Sequence, residues 1–159
     1  MPKPDMTLAV NVNVTGTLSG QTLTASATYS QGATNPPSTG VVDAGGDIDL
    51  KKMMDQGNNF SNQTDISFML SGTITDGQGR SYEVVFPDQV GSAISVLKKN
   101  GEQPPQGQFQ PTLQSETSLL LDDANSDGQD YKYCLTIEPD IISAEGVPSC
   151  PLDPNIVNR

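Results

Sequence analysis

The sequence predicts an all-β domain, an antiparallel β-sandwich of about seven to nine short strands. Three observations predict it. Apolar and polar residues alternate with a period of two through most of the chain, the pattern of strands with one buried face. The 15 glycines and 12 prolines fall largely between the alternating runs, where turns need them. No run of helix length carries apolar residues at 3.6-residue spacing.

The elements follow in order. Leu8, Val10, Val12 and Val14 alternate with Ala9, Asn11 and Asn13 as the first strand. Residues 16–20 read as a turn, after which Leu23, Ala25, Ala27 and Tyr29 alternate with polar neighbours. Residues 41–42 and 47–50 form short strands, and 51–56 a helical turn. Ile66, Phe68, Leu70 and Ile74 resume the period, and Asp76-Gly77-Gln78-Gly79 turns the chain into Tyr82, Val84 and Phe86. This is the clearest hairpin, because glycine supplies the positive φ that tight turns require. Residues 93–98 form a further strand. Residues 100–111 lack an apolar period and read as a loop. Residues 113–121 and 131–138 are two more strands, joined by an acidic hairpin turn at 122–130. A single domain covers 1–159, with 139–159 as a C-terminal tail.

Composition excludes several functions. Leu, Ile, Val and Phe number 12, 8, 11 and 4 in 159 residues, so the core is thin and strand-built. Eight basic against nineteen acidic residues give a net charge of −11. Such a surface repels a phosphate backbone, so nucleic acid is not an expected partner. The chain has no His, which removes a Ser-His-Asp triad, a Cys-His dyad and most zinc sites. No apolar window is long enough to span a membrane, and no signal peptide is visible, so the expected compartment is the cytoplasm. Cys134 and Cys150 either bridge a 16-residue gap or, as a cytoplasmic setting favours, stay reduced.

Three constellations offer chemistry. From Asp123 the chain reads D-x-N-x-D-G through Gly128, the opening half of a calcium loop in which alternate oxygens wrap a hard cation. The twelfth position, which needs a bidentate Glu, is Cys134, and no helix flanks the loop. The expectation is therefore an acidic turn with no metal. In 131–138, Tyr131, Tyr133, Leu135 and Ile137 make an apolar face, and Lys132, Cys134, Thr136 and Glu138 the other. Cys134 lacks a His to activate it and reads as a small buried hydrophobe. Lys132 reads as a solvated lysine unless the tail covers its face.

The tail is the third. Leu152 and Ile156 fall on one side of an extended segment, with Asp153, Asn155 and Val157 on the other. Paired with the preceding strand, the Asp153 side matches the Lys132 face. Asp153-Pro154 is chemically the weak bond of the chain. The Asp carboxyl can close on its own main-chain carbonyl and expel the secondary amine of proline, with the high effective molarity of an intramolecular attack.

The end of the chain, Glu138-Pro139 followed by Leu152-Asp153-Pro154-Asn155-Ile156-Val157-Asn158, resembles the bacterial DP-EP family of small self-cleaving, self-assembling β-sandwich endopeptidases. The resemblance covers about residues 131–159. It implies hydrolysis at Asp153-Pro154, isopeptide formation between Asp153 and Lys132 (or Lys98 or Lys99), and Glu138 as general base or proton shuttle. Lys132 must then be neutral, which burial beneath the tail would favour. Asp43, Asp47 and Asp49 are further carboxylates by composition alone. No cofactor is implied, and the partner is a second copy of the chain. The competing reading is a non-enzymatic assembly or binding module, stabilised by calcium if the acidic loop binds it.

Overall fold

The computed structural model describes residues 2–141 and 147–158. The chain is all-β, as its alternation predicts. β1 (Met6–Ser19) and β2 (Thr22–Asn35) form a long antiparallel hairpin. The other edge of β1 carries β4 (Thr64–Asp76) in parallel, from Met6 opposite Thr64 to Leu18 opposite Asp76. A parallel neighbour needs a crossover. The chain between supplies it, including β3 (Ile48–Asp49) and a 3-10 turn at Leu50–Lys52.

The free edge of β4 is shared. β8 (Ser118–Asp123) pairs with its first half and β5 (Ser81–Val85) with its end. β7 (Phe109–Ser115) pairs with β8. β9 (Asp130–Pro139) is flanked on one edge by β6 (Ile94–Lys98), which follows a short helix α1 (Val90–Ala93), and by the end of β5. On its other edge lie β10 (Cys150–Leu152) and β11 (Asn155–Val157). β3 then pairs with β11 in parallel. All of these belong to one curled, mixed sheet.

The curl faces the sheet onto itself. Val10, Val12 and Val14 of β1, Ile66 and Phe68 of β4, Leu119 and Leu121 of β8, and Tyr133 and Leu135 of β9 are all buried. The Phe68 and Tyr133 rings meet at 5.2 Å between centroids, so β4 and β9 touch face to face without being ladder neighbours. Where β1 and β4 run closest, Gly72 is obligatory. Its φ is 120°, and a Cβ there would stand 1.9 Å from the Val14 carbonyl oxygen.

Several expectations need correction. Eleven strands are present among the described residues instead of seven to nine, and two pairings are parallel. The extra strands arise partly because 113–121 is interrupted at Glu116–Thr117 and because β7 begins at Phe109, inside the expected loop. β1 continues through Gly16, and the turn falls at Gly20, whose φ is 62°. The 122–130 turn does not make a hairpin. Both edges of β8 are occupied, by β4 and β7, so the chain crosses to another part of the sheet before β9 begins. Residues 142–146 and Arg159 of the expected tail lie outside the described residues. No described helix is long and apolar enough to cross a membrane.

Candidate functional site

The tail joins β9 edge to edge in one register. Cys150 lies opposite Ile137, Leu152 opposite Leu135, Asn155 opposite Lys132 and Val157 opposite Asp130. Leu152 and Ile156 are buried, which fixes this register, because a slip of one residue would turn both outward. Between the two short strands, Asp153 stands opposite Cys134 and Pro154 opposite Tyr133. Tyr133 N–H donates to the Pro154 carbonyl at 2.9 Å. Residues 133 and 154 are therefore the hydrogen-bonding pair, and 134 and 153 the non-bonded pair, whose side chains stand closer. It follows that the Asp153 carbonyl, which forms the Asp-Pro peptide bond, is turned away from β9.

Cys134 and Asp153 meet across this pair. The thiol hydrogen-bonds to the Asp153 carboxylate, and burial followed by that carboxylate pushes the thiol up to about 11. Cys134 is thus a protonated donor rather than a thiolate nucleophile. Cys150 projects from the opposite face, with Ile137, and both cysteines are free. A bridge between side chains that diverge is geometrically unavailable.

Lys132 shares the Asp153 face, one pair further along the ladder. A diagonal neighbour in an antiparallel pair is within reach of a lysine side chain. The side chain is exposed, so burial beneath the tail does not occur. The reason is topological: an edge-paired tail widens the sheet and leaves its face open. Glu138 lies on the same face but four residues along β9 from Cys134, about 13 Å at the rise of a strand. Its carboxyl is pushed up by burial and then by Asp88, not by the Asp-Pro site.

The three clustered aspartates separate by role. Asp43 Oδ1 accepts from the N–H groups of Gly45 and Asp47, closing a turn. Asp49 Oδ1 caps the 3-10 turn through Lys51 N–H. Asp49 meets the tail through its backbone, opposite Val157, whereas Asp47 meets it through its side chain: its Oδ1 accepts from Asn155 N–H at 2.8 Å and from Asn155 Nδ2 at 3.0 Å. The backbone of Asn155 and of Asp153 point the same way, so Asp47 lies on the side toward which the Asp153 carbonyl turns. Lys99 Nζ donates to Asn155 Oδ1 at 2.8 Å, whereas Lys98 lines a neighbouring cavity. Tyr29, which no motif singled out, completes the surroundings. Its phenol is pushed well above its usual range by burial and by Cys134, Asp153 and Asp47. Its alternation on β2 announced a core residue, and nothing local announced a site.

The acidic loop is an anchor for the tail. Asp127 Oδ1 accepts from Gln129 N–H and from Asn158 Nδ2, and Asp127 Oδ2 accepts from the Tyr131 hydroxyl. Asn158 N–H donates to the Gln129 carbonyl at 3.2 Å. Asp123 is turned into the interior at the end of the Leu119–Leu121 row.

The chain matches no known family model and no curated protein.

Proposed function

We propose that the curled sheet is a β-sandwich that cuts its own Asp153–Pro154 bond, and that the processed chain assembles with copies of itself. One observation carries the reading. The dipeptide is held to β9 on both sides in one register, while the Asp153 carbonyl stays outside that ladder. A bond held in this way has its reacting groups in fixed positions, the condition for a high effective molarity.

In the reaction, an Asp153 carboxylate oxygen attacks the Asp153 main-chain carbonyl carbon. The bond from that carbon to Pro154 N breaks, and the nitrogen leaves as a secondary amine with a proton from solvent. The resulting anhydride is opened by water, leaving Asp153 as a new C-terminus. Alternatively Lys132 Nζ opens it, forming an isopeptide, freeing one carboxylate and releasing a proton. We assign the proton from the attacking water to Asp47, a reading supported by its bond to Asn155 on the edge toward which the Asp153 carbonyl turns. Glu138 exchanges protons with the bond only through intervening solvent.

Intact mass at neutral pH tests this. The wild-type chain is expected to lose residues 154–159, and an isopeptide product is one water lighter than the hydrolysed one. Asp153→Ala abolishes both products. Lys132→Ala abolishes only the isopeptide. Asp47→Asn slows cleavage by about 10²-fold, and Glu138→Gln slows it less. Denaturant stops a reaction that depends on positioning but not passive acid lability. A wild-type chain at full mass after weeks at neutral pH overturns the reading.

The second reading is a non-enzymatic assembly or binding module, favoured by the hydrogen bonds that Asn155 and Asn158 make as parts of a closing strand. In that case the tail stays intact, and the edge of β7 and the length of β2 that the 38–47 segment leaves uncovered offer the contacts between copies.

A further inference from the structure

We infer that the loop between β8 and β9 and the end of the tail together bind a divalent cation, calcium in preference to magnesium, through Asp123, Asp127 and Asn158. Asp123 is fully buried. Its Oδ1 accepts from Asn125 N–H at 2.8 Å and from Gln108 Nε2 at 3.2 Å, whereas its buried Oδ2 has no hydrogen-bond partner among the described residues. Asn158 is also fully buried. Its Nδ2 donates to Asp127 Oδ1 at 3.1 Å, and its Oδ1 is likewise buried and unpartnered.

The two orphaned oxygens belong to one place. The Asn158 amide acts on the Asp123 carboxyl as a donor, and among the described residues the other groups acting on it are the Asn125 N–H, the Gln108 amide and the Asp127 carboxylate. Burying a carboxylate beside a second one is costly, and no cationic side chain among the described residues acts on Asp123. A hard cation offsets both carboxylates and gives the two orphaned oxygens their missing partner. The loop's own twelfth position is Cys134, which faces Asp153 on the outer side of β9. Asn158 brings an oxygen from the tail where the loop fails to supply one. Asp127, Gly128 and Gln129 line a cavity of about 800 Å³, so the site opens to solvent on the Asp127 side while Asp123 and Asn158 close it from within. Lys51, Lys98 and Lys99 line the same cavity and oppose the cation. The affinity therefore belongs at the weak end, a Kd of roughly 10⁻⁴ to 10⁻³ M.

The full chain at neutral pH tests this without reference to cleavage. About 10 mM calcium is expected to raise the melting temperature by about 3–10 °C over chelator-treated protein, with a smaller rise in magnesium. Terbium is expected to luminesce on excitation of the tyrosines, since Tyr131 bonds to Asp127, and calcium to quench that signal. Asp127→Asn removes both responses, and Asn158→Asp, which adds a charge to the set, tightens binding about tenfold. The inference is overturned if neither wild type nor Asn158→Asp responds to calcium, if Asp127→Asn responds undiminished, or if only acid stabilises the chain.

Discussion

β1 and β9 are both central strands with one apolar face, yet they are held in opposite ways. β1 is paired along nearly its whole length with two partners that are themselves long, β2 and β4. β9 is flanked by four short segments, β5 and β6 on one edge and β10 and β11 on the other. Long ladders on both edges of β1 leave no backbone group to react and no segment to release. Short partners on β9 are each held by a few residues, so one can break or detach while the interior stays packed. The cleavage proposed above therefore falls at the strand whose partners can be released while the body stays folded.

The largest loss of stability is expected at Gly72, where β1 and β4 run closest. Alanine there brings Cβ against the Val14 carbonyl at a φ that side chains rarely adopt, and is expected to cost about 4 kcal/mol or more. Failure to recover soluble protein, or a large loss of stability in urea, checks this.

Core truncations on the two strands' partners should differ in kind. Phe68→Ala, in β4 beside Val10 of β1 and against Tyr133, is expected to cost about 3–5 kcal/mol in global unfolding. Ile156→Ala, in β11, removes about 2–4 kcal/mol from tail docking. Hydrogen exchange should then show β11 and the Asp-Pro segment opening while β1 and β4 stay protected. Equal loss of protection throughout would mean that the tail is no separate unit.

A smaller effect is expected at Asn155, where alanine removes its side-chain bonds to Asp47 and Lys99 but leaves the backbone bond. Tail protection should fall by about 1 kcal/mol. Normal protection would remove Asp47 from the list of groups that position the bond.

The smallest effect concerns pH on the β1 side. Asp65 stands opposite Asp122 across the β4–β8 pair. Its pKa is raised to about 6 by burial and then by that neighbour. Because the folded value lies above the unfolded one, the contribution is fully present below about pH 4 and is lost as pH rises through about 6. Melting temperature should therefore increase on mild acidification, and Asp65→Asn should flatten that slope. An unchanged slope in the variant would assign it to other groups.

The period-two alternation by itself determined the all-β class, which face of each strand is buried, and the hairpin at Asp76–Gly79, because each of these depends on residues close along the chain. Parity also puts Lys132 and Asp153 on one face once their strands are paired. Which strands pair was decided only in three dimensions. Alternation says that a residue is buried but not against what, so the parallel neighbours β1–β4 and β3–β11 carry no local signature. The same holds for the site. Asp47 meets Asn155 across 108 residues and Lys99 meets it across 56. Asp47 was indistinguishable by type from Asp43 and Asp49, and Asn158 from any polar residue near a terminus. The curl of the sheet brings Asp47 to Asn155 and turns Asn158 into the interior, with the buried side chains of Leu152 and Ile156 holding the tail against a one-residue slip.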